Sequence, residues 1–127
     1  MQKITYILHQ TVGIGDSIAS RVTVKMNTCS KTHHITATMR DDGDIESDCR
    51  NVQEYARRLT SVTMDDLMRF NESRIVGPEC REPLSVPCLC PMGVFNAAWM
   101  ECGLLSKNLC NRAHSNEIVL DENKDRS

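Results

Sequence analysis

The sequence predicts an α+β fold, a small antiparallel sheet with about three helices packed on one face. Residues 22–26 and 35–39 alternate apolar and polar side chains with the period of half-buried strands. The stretches 49–59, 63–70 and 91–106 instead place apolar residues at helical spacing. A chain of 127 residues suffices for one core, so 1–120 is expected to form a single globular domain. The charged, apolar-poor end, 121–127, is expected to be a frayed tail. With two Phe, two Tyr and one Trp, the core must lean on Ile, Val, Leu and Met.

Taken in order, Ile4 to Leu8 reads as a first short strand. Gly13-Ile14-Gly15 marks a loop; it lacks the third glycine of a dinucleotide fingerprint. Val22, Val24 and Met26 alternate with Arg21, Thr23 and Lys25, and Ile35, Ala37 and Met39 alternate with His34, Thr36, Thr38 and Arg40. The two segments predict an antiparallel hairpin with Cys29 and His33 near its tip. Asp41-Asp42-Gly43-Asp44 then turns the chain. Its acidic residues are turn formers, since a calcium loop would need a glutamate at its twelfth position. A three-residue loop with Gly43 left-handed sets Ile45 opposite Met39 and keeps apolar with apolar. That register returns Cys49 toward Ile35, the end of the hairpin that holds Cys29.

Asp48 is expected to cap a helix starting at 49 or 50, with Val52, Tyr55, Ala56 and Leu59 as its buried stripe. Thr63-Met64-Asp65-Asp66 predicts the cap of a second short helix carrying Leu67, Met68 and Phe70. Between 71 and 87, Gly77, Pro78, Pro83 and Pro87 predict a long irregular connection, which contains Cys80. Pro91 opens the last predicted helix, apolar nearly all round and therefore buried, with Cys102 in the core and Gly103 or Asn108 ending it. Leu109 and Cys110 are expected to pack back on the domain, and 117–120 to form an edge strand.

A net charge of −2 argues against nucleic acid as a partner. No apolar run is long enough to cross a membrane, and the run after Met1-Gln2-Lys3 is too short for a signal peptide. The expected location is the cytoplasm. Seven cysteines are a heavy and odd load for a reducing compartment, where metal ligation or thiol redox chemistry is commoner than crosslinks. Cys29, Cys49, Cys80, Cys88 and Cys90 all fall in loops or at element ends, where ligands from remote segments can converge. Three or four thiolates would suit zinc or an iron–sulfur cluster. Cys49 and Cys90 stand at predicted helix N-termini, where the macrodipole is expected to lower a thiol pKa. His33 and His34 each carry a possible nitrogen ligand but read first as exposed strand-end residues. His9 and His114 have no assigned role.

Ser47-Asp48-Cys49, Cys90-Pro91, Ala97 and Gly103-Leu104 together give a pattern. In it the chain resembles a small uncharacterised family of methanogenic archaea and some anaerobes. That family carries Cys-Gly-Phe, then Ser-Asp-Cys, then His-x-x-Cys-Pro-x-Pro leading into a helix. Cys29 falls at the first cysteine, with Ser30-Lys31 in place of Gly-Phe; Pro87 stands for the histidine and Gly93 for the second proline. The resemblance implies a site made by Cys29, Cys49 and Cys90, with Cys88 or Cys80 filling the position the histidine leaves. A fainter, purely architectural likeness is to scaffold domains of iron–sulfur assembly.

Three functions stay open. The first is a metal or cluster site at Cys29, Cys49, Cys88 and Cys90. The second is a redox thiol at Cys90 or Cys49 with Cys88 resolving. The third is a non-catalytic module for an unknown protein partner, in which cysteines fill the core. No reaction follows from these residues.

Overall fold

The computed structural model describes residues 2–7, 19–39 and 43–122. The Gly13–Gly15 loop, His9, the Asp41-Asp42 turn and the tail beyond 122 lie outside the described residues. The fold is α+β. In chain order its elements are β1 (Gln2–Ile7), β2 (Ser20–Met26), β3 (Lys31–Ala37), β4 (Gly43–Ser47), α1 (Arg50–Arg58), β5 (Ser61–Thr63), α2 (Met64–Met68), α3 (Pro78–Arg81), α4 (Cys90–Glu101) and α5 (Lys107–Ala113). The sheet order is β2-β3-β4-β1-β5. The first three contacts are antiparallel, and β5 joins β1 in parallel.

The hairpin forms as its alternation predicts. Val22 faces Ile35, Val24 faces His33 and Met26 faces Lys31. The tip, residues 27–30, carries Cys29 and places Ser30 at φ 59°. His33, Ile35 and Ala37 share the buried face of β3 with Gly43 and Ile45 of β4. Burying an Ile such as Ile35 or Ile45 contributes about 1.5–3 kcal/mol, and both are essentially out of water.

The register of the next strand differs from expectation. Ile45 faces Ile35, not Met39, and Ser47 faces His33. The slip is four residues. Because strand side chains alternate with period two, an even slip keeps every apolar residue on the core face. The connection is simply longer, since β3 ends at Ala37. The slip has a consequence for the cysteines: two residues past Ser47, Cys49 falls level with Lys31, at the hairpin tip itself. Lys31 Nζ lies 3.8 Å from Asp48 Oδ1.

The helices cover one face. Helix α4 packs on β2 and β3, and α1 on β4 and β1. Gly93 lets α4 approach: a Cβ there would stand 2.5 Å from Val24 Cγ2 and 2.7 Å from Ile35 Cδ1. Helix α1 buries Val52, Tyr55 and Ala56, and the Tyr55 hydroxyl donates to the Ile75 carbonyl at 2.8 Å. Helix α2 has the predicted cap. The Thr63 hydroxyl accepts from Asp66 N–H, and the Asp66 carboxylate accepts from Thr63 N–H at 2.9 Å. Arg74 Nη2 also donates to that carboxylate at 2.7 Å. Burial raises the Asp66 pKa, but these hydrogen bonds prevail and hold it at about 2.

Four expectations are corrected. The 91–106 helix ends at Glu101, with Gly103 at φ 80° just beyond, and Gly103 N–H donating to the Met100 carbonyl. Residues 107–113 form α5, which buries none of its residues, so Leu109 does not pack back. Residues 117–120 form no strand, and Ile118, Val119 and Leu120 are about two-thirds or more exposed. The 71–87 connection holds a short helix, α3, and turns.

Candidate functional site: a corner of thiols

The site forms at one end of the sheet, where three segments remote in sequence meet. The hairpin tip brings Met26 and Cys29; the end of β4 brings Ser47 and Cys49; the start of α4 brings Cys88, Leu89 and Cys90. Leu89 N–H donates to Met26 Sδ at 3.4 Å, which ties α4 to the hairpin. The Cys29 thiol turns back to the Met26 carbonyl at 4.0 Å.

Cys49 is the N-cap residue of α1, with φ −86° and ψ 122°. Asp48, the expected cap, is exposed and pairs with Lys31 instead. An N-cap is the position where Ser, Thr, Asn or Asp normally accepts an orphan N–H. Here the side chain makes no capping bond, so the sulfur is not committed to the helix end. The local turn is held by Ser47. Its hydroxyl accepts from Cys49 N–H at 2.9 Å and lies 2.7 Å from His33 Nδ1. The Gln53 amide donates to the Ser47 carbonyl at 2.7 Å.

Cys90 is the first residue of α4, with Leu89 as N-cap and Pro91 next. It has no exposed surface. The sequence led us to expect a lowered thiol pKa at this helix start. The structure reverses the direction: burial pushes the Cys90 thiol up, and the neighbouring Cys88 and Cys49 thiols push it further. Burial also raises Cys88. The Cys90 backbone amide and the Arg81 guanidinium oppose that rise, while the Cys49 and Cys29 thiols add to it. The four predicted ligands, Cys29, Cys49, Cys88 and Cys90, belong to the three segments at this end of the sheet.

Among the described residues, however, no three Cys, His, Asp or Glu side chains lie close enough together to hold a metal ion as they stand. Cys29 is exposed, Cys49 and Cys88 are half-buried, and all seven cysteines are free thiols. Cys80 is placed elsewhere, with its thiol 3.7 Å from the Arg58 carbonyl and its pKa raised by burial. Cys102 is half-buried against the core at the far end of α4, where burial again raises it.

His33 is not the exposed strand-end residue the sequence suggested. It is buried, and burial lowers its pKa from 6.5. Its place on the inner face follows from parity with Ile35 and Ala37, a signal present in the alternation. His34 faces outward, with Nδ1 3.2 Å from the Thr23 hydroxyl. Sequence reasoning also passed over Ser47 and Met26. Ser two residues before a helix start is a known turn former, so Ser47 had a signal; Met26 had none beyond its strand period.

A family model described as a family of unknown function (DUF6951) matches residues 20–113. The chain belongs to that family, and the matched span contains every residue of the thiol corner. No curated protein and no solved structure matches the chain.

Proposed function

We propose that this chain is a binding domain for a metal ion or iron–sulfur cluster, held by Cys29, Cys49, Cys88 and Cys90. The observation that carries the reading is the Cys49 N-cap. A residue type poor at capping occupies a capping position and makes no capping bond, at the end of the sheet where the hairpin tip and the start of α4 also carry cysteines. Bound metal would supply structural ties between the hairpin, α1 and α4, and would displace the thiol protons that burial now retains. Among the described residues no three ligands are yet drawn together. Cys29 sits on an exposed turn, and Cys49 has no capping bond to break. Seven free thiols suit a reducing, cytoplasmic setting.

Among the described residues no helix is long and apolar enough to cross a membrane. The reading assigns no reaction and requires no nucleic acid. A second reading rests on the complete burial of Cys90 among Val94, Ala97 and Ile35, which favours cysteine as a core filler.

Metal and acid-labile sulfide analysis of anaerobically purified protein separates these. Stoichiometric zinc, or iron with matching sulfide, lost in Cys49→Ser and Cys88→Ser, is the expected result. Metal-free wild-type protein that takes up neither zinc nor iron would leave the core-filling reading.

A further inference from the structure

On its outward side α4 forms one wall of an apolar groove of about 310 Å³. Met68, Phe70, Met92, Phe95, Trp99 and Leu105 line it. Met68, Phe70 and Met92 are each about half exposed. The floor is already built: the Phe70 and Phe95 rings stack with centroids 5.7 Å apart, and the Trp99 indole donates to the Leu67 carbonyl at 3.0 Å. Isolated exposed apolar residues are ordinary, but a contiguous set around a concave surface marks a binding surface.

The same chain carries a matching segment. Ile118-Val119-Leu120 follows α5 with 67–70% of its surface exposed and is packed on nothing in the core. Glu117 precedes it, and Asp121 and Glu122 follow it. Arg69 lies between the lining residues Met68 and Phe70; Lys107, two residues past Leu105, pairs with Glu101 at 3.6 Å. Arg69 is engaged only in a surface pair with Glu72 at 3.5 Å, between two largely exposed side chains; such pairs are weak. Apolar meets apolar, and the acidic flanks meet the exposed Arg69 guanidinium. In the structure the tail's apolar side chains stand open, so they do not fill the groove of their own chain.

We infer that the groove receives residues 117–122 of a second copy of this chain, each copy docking its tail on the other. Reciprocal exchange closes the pair by two-fold symmetry and leaves neither apolar surface open. Nothing in the thiol corner takes part.

Trp99 is the sole tryptophan and lines the groove, so its emission reports occupancy. Sedimentation and Trp99 fluorescence of the full chain, under reductant, are followed from about 10 μM to about 1 mM. The expected result is a mass rising from one chain toward two, with a blue shift of Trp99 in step. Substituting Ile118→Asp with Leu120→Asp, on largely exposed residues outside the core, should weaken association by about ten-fold or more. Phe70→Asp should do the same, and mixing the tail and groove variants should restore a mixed pair. A monomer throughout this range, a Trp99 shift independent of concentration, or a dimer unaffected by the tail substitutions would overturn the proposal.

Discussion

Helices α1 and α4 both start on a cysteine at the same corner of the sheet, yet the two starts are physically unlike. Cys49 is the N-cap of α1, half-buried, with its turn held by Ser47 and no capping bond of its own. Cys90 is inside the first turn of α4, sealed from water, with its thiol pushed up. A helix N-terminus favours an anion by about 0.3–1 kcal/mol, whereas complete burial can shift a pKa by several units. At Cys90 burial wins. Position at a helix start does not by itself activate a thiol; access to water decides, and only a metal bound there would replace the proton.

The comparison breaks most visibly in thiol reactivity. In metal-free protein at neutral pH, Cys29 and Cys49 should alkylate on a common timescale. Cys90 should lag by about 10³-fold or more, because it reacts only when the fold opens. Mass mapping of alkylated peptides checks this; equal rates at Cys49 and Cys90 would erase the distinction.

Next in size is the packing that seals Cys90. Gly93→Ala gains about 1 kcal/mol of helix propensity but drives a methyl into Val24 and Ile35, an overpacking that costs about 1–3 kcal/mol. A lower denaturant midpoint and faster Cys90 alkylation are expected, with Cys49 alkylation unchanged.

The same substitution at the two starts should have opposite signs. Cys90→Ser buries a hydroxyl and should cost the metal-free protein about 1–3 kcal/mol. Cys49→Ser installs a preferred cap and should gain up to about 1 kcal/mol. Urea unfolding of the two variants without metal measures both.

The smallest effect is a pH dependence at the α1 start. His33 has its pKa lowered by burial, so as pH falls below 6.5 the unfolded chain binds the proton first. Its contribution to stability is full above pH 6.5 and declines below it. The urea midpoint should therefore fall between about pH 7.5 and about pH 5.5, and less so in His33→Gln.

Much of the fold was legible because its signals are periodic. The alternation from Val22 to Ala37 gave the hairpin, the Val52–Leu59 stripe gave α1, and Thr63 with Asp66 gave the start of α2. The register at Ile45 was misjudged because an even slip leaves the pattern unchanged. Strand β5 is three residues long and too short to show a period. Helix α5 has no buried stripe to read. At the candidate site, the cysteines were legible as residue types, and the placing of Cys49 level with the hairpin end as a consequence of the strand pairing. The direction of the Cys90 shift was not, since it depends on how completely α4 and the sheet close over it. His33 was misread as exposed although its parity with Ile35 placed it inside.

The central claim is that the two helix starts share one ligand. Titration of the reduced, metal-free protein with cobalt(II) tests it directly. The account predicts the intense visible and sulfur-to-metal charge-transfer bands of a tetrahedral thiolate site at stoichiometric metal, abolished by Cys49→Ser and by Cys90→Ser alike. A spectrum showing only hydrated cobalt, with all seven thiols reduced, would contradict it.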